Sequence, residues 1–444
     1  MARKNLTTNH TNHTKQHEKD LMKKIVKRIL LVLLVLLVLA QIPFIYRRYQ
    51  TGKLAQHIAE LDAQRRSYTD PQYKEYKGII HAHTNLGGHS TGSFDELIAA
   101  ANSNDLDFVL MTEHYSDAFD TAEKTLNGVY GKTLFVGGNE IDTSDGDRFL
   151  LIPGGGEAAR VRMSGTTAFL EAAHASNQLA LITYPEKFKS WDSNFDGIEV
   201  FNLHTAAKQM NWLTALGDLI WSYPSYPELT FAKNFVRPDA NLAKFDEIAA
   251  KRPISLFAGT DAHSDLGVHL LGTDGRQKLI NIKLDPYETI FRIARIHVLI
   301  ERNKSLDRGT LLEAIRLGRY FIGFDALGDT SGFSIRETRC GGTSIKMIGS
   351  IRDTCQSADI GESRFEINIP LPARLVVYRN GEIIEPDDLT AYRYGQWVSD
   401  PSEGTGVGFY SKEVGVYRVE VYRDDLGPPF DKIPWIMSNP IYVR

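Results

Sequence analysis

Nine of the chain's histidines fall between Ile79 and Val298, and the richest clusters set them beside acids and hydroxyls. They read Ile80-His81-Ala82-His83-Thr84, Gly88-His89-Ser90, Thr112-Glu113-His114 and Thr260-Asp261-Ala262-His263, with Asn139-Glu140-Ile141 as an acidic companion. Neutral imidazole and carboxylate are the ligands that hard-to-borderline divalent metals prefer. Such clusters on separate segments predict one polynuclear site gathered from distant parts of the chain. That is the equipment of a hydrolase that makes its nucleophile from water. His81 and His83 stand two apart on a predicted strand, so both side chains are expected on one face, able to share an ion. Glu140 suits a position between two cations, whose repulsion a shared carboxylate offsets.

The elements that must position these groups alternate. Lys77–Thr84, Phe108–Thr112, Leu134–Val136, Phe149–Ile152, Leu179–Thr183, Gly197–Phe201 and Ile254–Ala258 read as short strands bounded by turn residues. Phe94–Ser103 reads as a helix capped by Ser93, with Glu96 completing a capping box. A further helix is expected near Thr167–Ser176. Repeated βα units predict an α/β fold with a mostly parallel sheet, closed or nearly closed as a barrel. In such barrels chemistry gathers at the C-terminal strand ends, where His81, His83, His114, Glu140 and Asp261 all fall.

Taken in order, His81-x-His83, Ser90 with Gly92-Ser93, Thr112-Glu113-His114, Gly138-Asn139-Glu140, Gly197-Ile198-Glu199-Val200 and Asp261-Ala262-His263 resemble the PHP superfamily (polymerase and histidinol phosphatase). The resemblance covers residues 77 to about 265. It implies a distorted (β/α)7 barrel, here over residues 76–328, two or three divalent metals (Zn, Mn or Fe), and hydrolysis of a phosphoester or another ester. Carried over by position, it places His81, His83, Glu140 and Asp261 on a first metal, and His89, His114 and His263 on a second. Glu140, Asp261 and His263 would be the catalytic residues. The third metal's usual His-Pro pair is replaced here by Tyr184-Pro185. Tyr184 ligates weakly, His204 supplies the imidazole instead, or the third site is lost. Thr91 and Glu113 also stand where the family more often shows Asp. Lys187 is a candidate phosphate contact, and Glu199 and His269 are candidates for orienting ligands from behind. His174 and His297 read as structural.

Between Met210 and Arg237 an aromatic insertion carries Trp212, Trp221, Tyr223, Tyr226 and Phe231. It is a lid, a pocket wall, a helix pair packed on the barrel, or a surface touching a bilayer. Beyond the predicted helix Gly309–Arg319 the pattern turns to short alternating strands, and Asn380-Gly381 is a tight hairpin signal. Residues 329–444 therefore read as a small immunoglobulin-like β-sandwich. Cys340 and Cys355, the only cysteines, lie in it and form a disulfide candidate outside the cytosol. Two cysteines are too few for a thiolate zinc site.

Location is written at the other end. Residues 29–46 carry no charge, and as a helix they would span about 27 Å, close to a bilayer's hydrocarbon thickness. Eight Lys or Arg residues precede them, against Glu18 and Asp20. The positive-inside rule then places a basic, disordered tail (1–28) in the cytoplasm and everything from 47 on in the periplasm or outside the cell. Residues 47–75 read as a helical linker. Val38-Leu39-Ala40 keeps a cleaved signal peptide as the competing reading, against which the long basic lead segment argues. A net charge of −4 gives no electrostatic reason to expect nucleic acid. Three functions follow: a membrane-anchored phosphoesterase, a hydrolase of carboxylic or carbamic esters with the same metals, or a non-catalytic metal-binding module.

Overall fold

The computed structural model describes residues 3–65, 68–208, 212–265, 267–271, 278–339, 344–347, 363–384, 390–391, 406–411 and 413–443. The chain divides into two compact units, Met1–Leu54 with Asn211–Tyr226, and Ala55–Met210 with Pro227–Arg444.

In the first unit a helix runs Arg3–Leu39 and, after a turn at residues 40–41, a second runs Ile42–Asp62 into the other unit. The tail expected to be disordered is thus helical from Arg3, and prolonging an existing helix costs far less than nucleating one. Pro43 marks the interruption, having no N–H to give and a ring that crowds the preceding turn. Lys19–Asp62 is long and apolar enough to cross a membrane, with a best 18-residue window of mean hydropathy 2.8, none of it buried.

The second unit is mixed α/β. Its first strand, Tyr73–Ala82, pairs parallel with Phe108–Met111, which pairs parallel with Thr133–Val136. The latter two continue almost at once as Glu113–His114 and Asn139–Asp142, again parallel. Arg148–Ile152 follows and runs antiparallel to both its neighbours, Asn139–Asp142 and Leu179–Ile182. A uniformly parallel order is thereby broken, because the 143–147 turn is too short for a crossover and permits only a hairpin. Leu179–Ile182, Gly197–Asn202 and Ser255–Gly259 complete the series in parallel. Thr260 N then donates to Ile80 O, Ala262 N to His81 O, and His83 N to Ala262 O. The strand path therefore returns to where it began.

The expected helix Phe94–Ser103 forms with those bounds and with both capping-box bonds between Ser93 and Glu96. It buries Leu97, Ala100 and Ala101.

An eleven-stranded sheet leads from the first strand through Arg295–Glu301 and Tyr320–Gly323 to Pro434–Ser438, Gly415–Tyr422 and Arg374–Arg379. A five-stranded antiparallel sheet, which includes Ser334–Arg339, Ser363–Asn368 and Gly406–Ser411, lies in the same region. The rings of Phe365 and Phe409 stack at 4.5 Å, and Phe365 lies 4.6 Å from the ring of Tyr417 on the larger sheet. Asn380 and Gly381, with φ of 53° and 87°, make the hairpin their sequence announces. A buried ionic group ties the helix Asp239–Ala249 to Gly415–Tyr422. In it Arg418 Nε and Nη2 donate to Asp246 at 2.7 and 2.6 Å, while Arg237 donates to Glu420 at 2.8 and 2.6 Å. Cys340 and Cys355 lie outside the described residues, so the disulfide expectation is not addressed.

Candidate metal centre

His81, His83, His114 and Asp261 lie at or just beyond strand ends, Glu140 lies near the start of Asn139–Asp142, His204 is on the helix Leu203–Lys208, and the backbone is bent at several of these points. His81 is a β-bulge residue with φ 74°, where the register shifts between Ile80 and Ala82. Strand alternation alone therefore does not bring His81 and His83 together; the bulge does. Asp261 and Tyr184 also have left-handed backbones, with φ of 47° and 51°. Three such non-glycine residues around one point cost conformational energy, which tends to concentrate where function needs fixed geometry.

The bent segments converge. One ligand atom each from His81, His83, Glu140 and Asp261 lies within 4.8 Å of the others, and all four residues are buried. His81 Nε2 is 3.8 Å from Glu140 Oε2 and 3.4 Å from Asp261 Oδ1; His83 Nε2 is 3.6 and 3.4 Å from the same two atoms. Ligand bonds near 2.1 Å in a tetrahedron put neighbouring ligand atoms about 3.4 Å apart. These four atoms make no hydrogen bond, an expensive state for buried polar groups that have nothing to face. The donor set and its spacing fit a divalent cation.

A second grouping joins His83, His114 and His263. Glu140 Oε2 lies 3.1 Å from His114 Nδ1, so this carboxylate touches both groupings. His263 Nδ1 meets Asp261 O at 2.8 Å, which leaves Nε2 for a ligand. His89 is exposed, with its ring 4.8 Å from that of His114, and the His204 ring lies 5.3 Å from that of His263. Neither belongs to a ligand grouping among the described residues.

Charge follows the same pattern. Burial opposes ionisation of Glu140 and Asp261, yet the neighbouring imidazoles hold Glu140 at about 2 and Asp261 well below the carboxylate range. Burial brings His83 down to about 3, the neutral form a ligand needs. At His81 burial is overcome by Asp261 and Glu199, which raise it well above its ordinary value. The pocket demands positive charge; a proton on His81 supplies some, and a divalent cation supplies more.

Behind the ligands stands a supporting layer. Glu199 Oε1 lies 2.7 Å from His81 Nδ1, and Thr183 Oγ1 donates to Glu199 Oε2 at 2.5 Å. A Cβ at Gly259 would sit 1.7 Å from Glu199 Oε1, so only glycine leaves room for this carboxylate. Tyr184 OH donates to Asp261 Oδ2 at 2.6 Å, and burial with the Asp261 charge raises its phenol, keeping it protonated. Asn202 Nδ2 bridges Glu199 Oε2 at 3.1 Å and Asp261 Oδ2 at 3.3 Å. Tyr287 OH donates to His83 O at 2.5 Å. Glu113 accepts from Thr84 N and Oγ1 at 3.0 and 2.7 Å and from Thr125 Oγ1 at 2.9 Å. Thr91 Oγ1 likewise donates to Ser264 O at 2.6 Å. The sequence reading missed Asn202, Tyr287 and Arg148; of these only Asn202, closing the strand that carries Glu199, left a local signal.

A cavity of about 740 Å³ opens over the centre. Arg148 lines it with Nη1 3.4 Å from Glu140 Oε1 and its guanidinium 5.5 Å from the centre of the Tyr184 ring. Arg162 lines it too, 4.4 Å from the Tyr115 ring centre. Lys187 Nζ lies 5.4 Å from the Tyr184 ring centre. The strand Gly267–Leu271 carries His269, whose side chain is outside the described residues. His297 is remote from the centre, 2.6 Å from Glu75 and stacked on Phe321.

No protein-family model and no curated protein matches this chain. Among solved structures, the chain is similar to a two-domain protein from Bacteroides vulgatus ATCC 8482 containing a predicted PHP-like metal-dependent phosphoesterase. They share 12% identity at a TM-score of 0.32, over 84% of this chain and 98% of that one. PsfC from Pseudomonas syringae PB-5123 shares 14% identity at a TM-score of 0.30, over 58% of this chain and 94% of that one. At these scores neither neighbour bears on what this chain does; what is established here is a mixed α/β protein with a buried His/Glu/Asp cluster able to hold metal.

Proposed function

We propose that this chain is a membrane-tethered, extracytoplasmic, metal-dependent phosphoesterase. The observation that carries the reading is the convergence of four buried ligand atoms without hydrogen bonds, spaced 3.4–3.8 Å across the His81/His83–Glu140/Asp261 contacts. His81, His83, Glu140 and Asp261 would hold one cation, and His114 and His263 a second, with His89 and His204 at its rim. Glu140 suits the shared position because its Oε2 touches both groups. Two or three cations (Zn, Mn or Fe) would supply Lewis acidity and a water of lowered pKa. The protein's own part is to orient and to exclude water. Glu199 fixes the ring of His81, Tyr184 fixes Asp261 and retains its proton, and burial keeps solvent off the ligands.

Arg148 and Arg162 line the cavity paired with Asp142 (2.7 and 3.0 Å) and Asp117 (2.8 Å), so a phosphoester would gain them only by taking the place of those carboxylates, an exchange that a neutral carboxylic or carbamic ester could not make. Substrates of that chemistry outside the cytoplasm include lipid head groups, glycerophosphodiesters, teichoic-type polymers and scavenged organic phosphates. In this reading residues 76–328 are a hydrolase domain built as a distorted seven-stranded barrel, a reading supported by the strand path that returns on itself. Residues 329–444 are an immunoglobulin-like sandwich, supported by the Phe365–Tyr417 contact between sheets. Residues 29–46 cross the bilayer, supported by an apolar window with no buried residue.

The test is elemental analysis of the purified full chain with turnover of a p-nitrophenyl phosphodiester, before and after chelation and with Mn or Zn restored. Activity lost on chelation and regained with metal is expected, and Asp261→Asn should abolish it. Full rate in that variant would overturn the assignment. Turnover of p-nitrophenyl carboxylates alone would change the bond, and stoichiometric metal without turnover would leave a binding module.

A further inference from the structure

The insertion between the strands Gly197–Asn202 and Ser255–Gly259 includes the helix Trp212–Trp221, and this helix lies along the segment that leaves the apolar run. Its contacts are specific. Trp221 Nε1 donates to Gln41 Oε1 at 2.9 Å, and a Cβ at Gly217 would meet the Phe44 ring at 2.1 Å. Arg47 Nε and Nη2 donate to Asp218 Oδ1 and Oδ2 at 3.0 and 2.5 Å, and Asp218 is buried. Arg48 Nη2 donates to Ser225 Oγ at 2.9 Å.

These contacts fix depth. Gln41 follows the unbroken apolar stretch Ile29–Ala40 directly, within the uncharged segment 29–46, and it precedes Arg47 by about 9 Å along a helix axis. A helix bonded to Gln41 at one residue and to Arg47 at another must therefore share the level at which the apolar run ends. At that level its outer face is not polar. Leu216 and Ile220, one turn apart, are 54% and 58% exposed. On the partner helix Ile42, Ile45, Tyr46 and Tyr49 form an exposed stripe at helical spacing. Exposed apolar side chains grouped on two packed helices need a cover.

We infer that the helix Trp212–Trp221 lies in the headgroup–acyl boundary of the bilayer, a second membrane-seated element clamped to the first by Arg47–Asp218. This rests on the reading that residues 29–46 span a bilayer. The cover is lipid because the stripe continues the apolar run without a break and Arg47 and Arg48 sit where a headgroup level would fall. A tryptophan with its N–H satisfied and its ring at such a boundary is a usual interfacial anchor. The helix Trp212–Trp221 is then bilayer-seated rather than a lid.

The experiment uses the full chain in vesicles of phosphatidylcholine and phosphatidylglycerol, with photoreactive benzoylphenylalanine placed singly at Leu36, Leu216 or Ile220. All three side chains are exposed, so folding is not at stake. After irradiation and digestion, lipid adducts are expected at all three positions. Adducts at Leu36 without any at Leu216 and Ile220 would overturn this inference and leave the tether standing. Loss at Leu36 as well would overturn both. Crosslinks from Leu216 or Ile220 to a second copy of the chain would replace lipid by protein as the cover and also overturn it.

Discussion

Glu199 grips His81 from behind: its Oε1 lies 2.7 Å from Nδ1, and both side chains are buried. The grip leaves Nε2 facing Glu140 and Asp261. Outer partners of this kind commonly contribute about 10–100-fold in metal affinity. Glu199→Gln should therefore raise the metal concentration needed for half-maximal activity by about that factor, while turnover recovers at saturating metal. A metal titration reads both; an unchanged midpoint would detach Glu199 from the centre.

Tyr184 holds Asp261 through a 2.6 Å hydrogen bond. Bonds to charged groups contribute about 1.5–3 kcal/mol. Tyr184→Phe should lower turnover about tenfold or more and leave the metal-to-protein ratio unchanged. If elemental analysis showed one equivalent lost, Tyr184 would itself be a ligand.

Arg418 is buried between Asp246 and Glu420. Removing the guanidinium strands Asp246, while Glu420 keeps Arg237, and an unpaired buried charge of this kind costs about 3–5 kcal/mol. Arg418→Ala should lower the denaturation midpoint of the full chain accordingly, with metal content in the folded protein unaltered. A midpoint within error of the parent would mean that water replaces the guanidinium.

His297 and Asp325 form a buried pair 3.5 Å apart, away from the metal centre. Burial opposes charge on His297, but Asp325 and Glu75 raise it to about 9. Its stabilisation is complete below an unfolded-state pKa near 6.5 and is lost as pH climbs through about 9. Asp325 is held well below its ordinary range despite burial, by the His297 charge, so its contribution is present above about 4 and disappears in acid. Denaturation midpoints across pH 6 to 10 should fall in the parent and flatten in His297→Gln. Parallel profiles would rule the pair out as the source.

Local patterns were legible because their causes are local. Ser93 and Glu96 announce the helix Phe94–Ser103, Asn380-Gly381 announces its hairpin, and short clusters of histidine and carboxylate mark the four convergent residues His81, His83, Glu140 and Asp261. Three features left no such mark, two of them because they depend on contacts far apart in sequence. The bulge at His81 arises where Ala262 N and Thr260 N bond to the first strand. Arg148 meets Glu140 only because the intervening turn reverses the chain. The segment Pro434–Ser438 is a strand inserted between Tyr320–Gly323 and Gly415–Tyr422, where alternation says nothing of partner choice.

That insertion has a cost for anyone wishing to shorten the protein. Cutting the chain near residue 329 would strip Tyr320–Gly323 of its neighbour and leave a bare row of amides and carbonyls along a four-residue apolar edge. Such an edge invites strands from other molecules, so the metal-binding half released on its own should self-associate rather than remain monomeric.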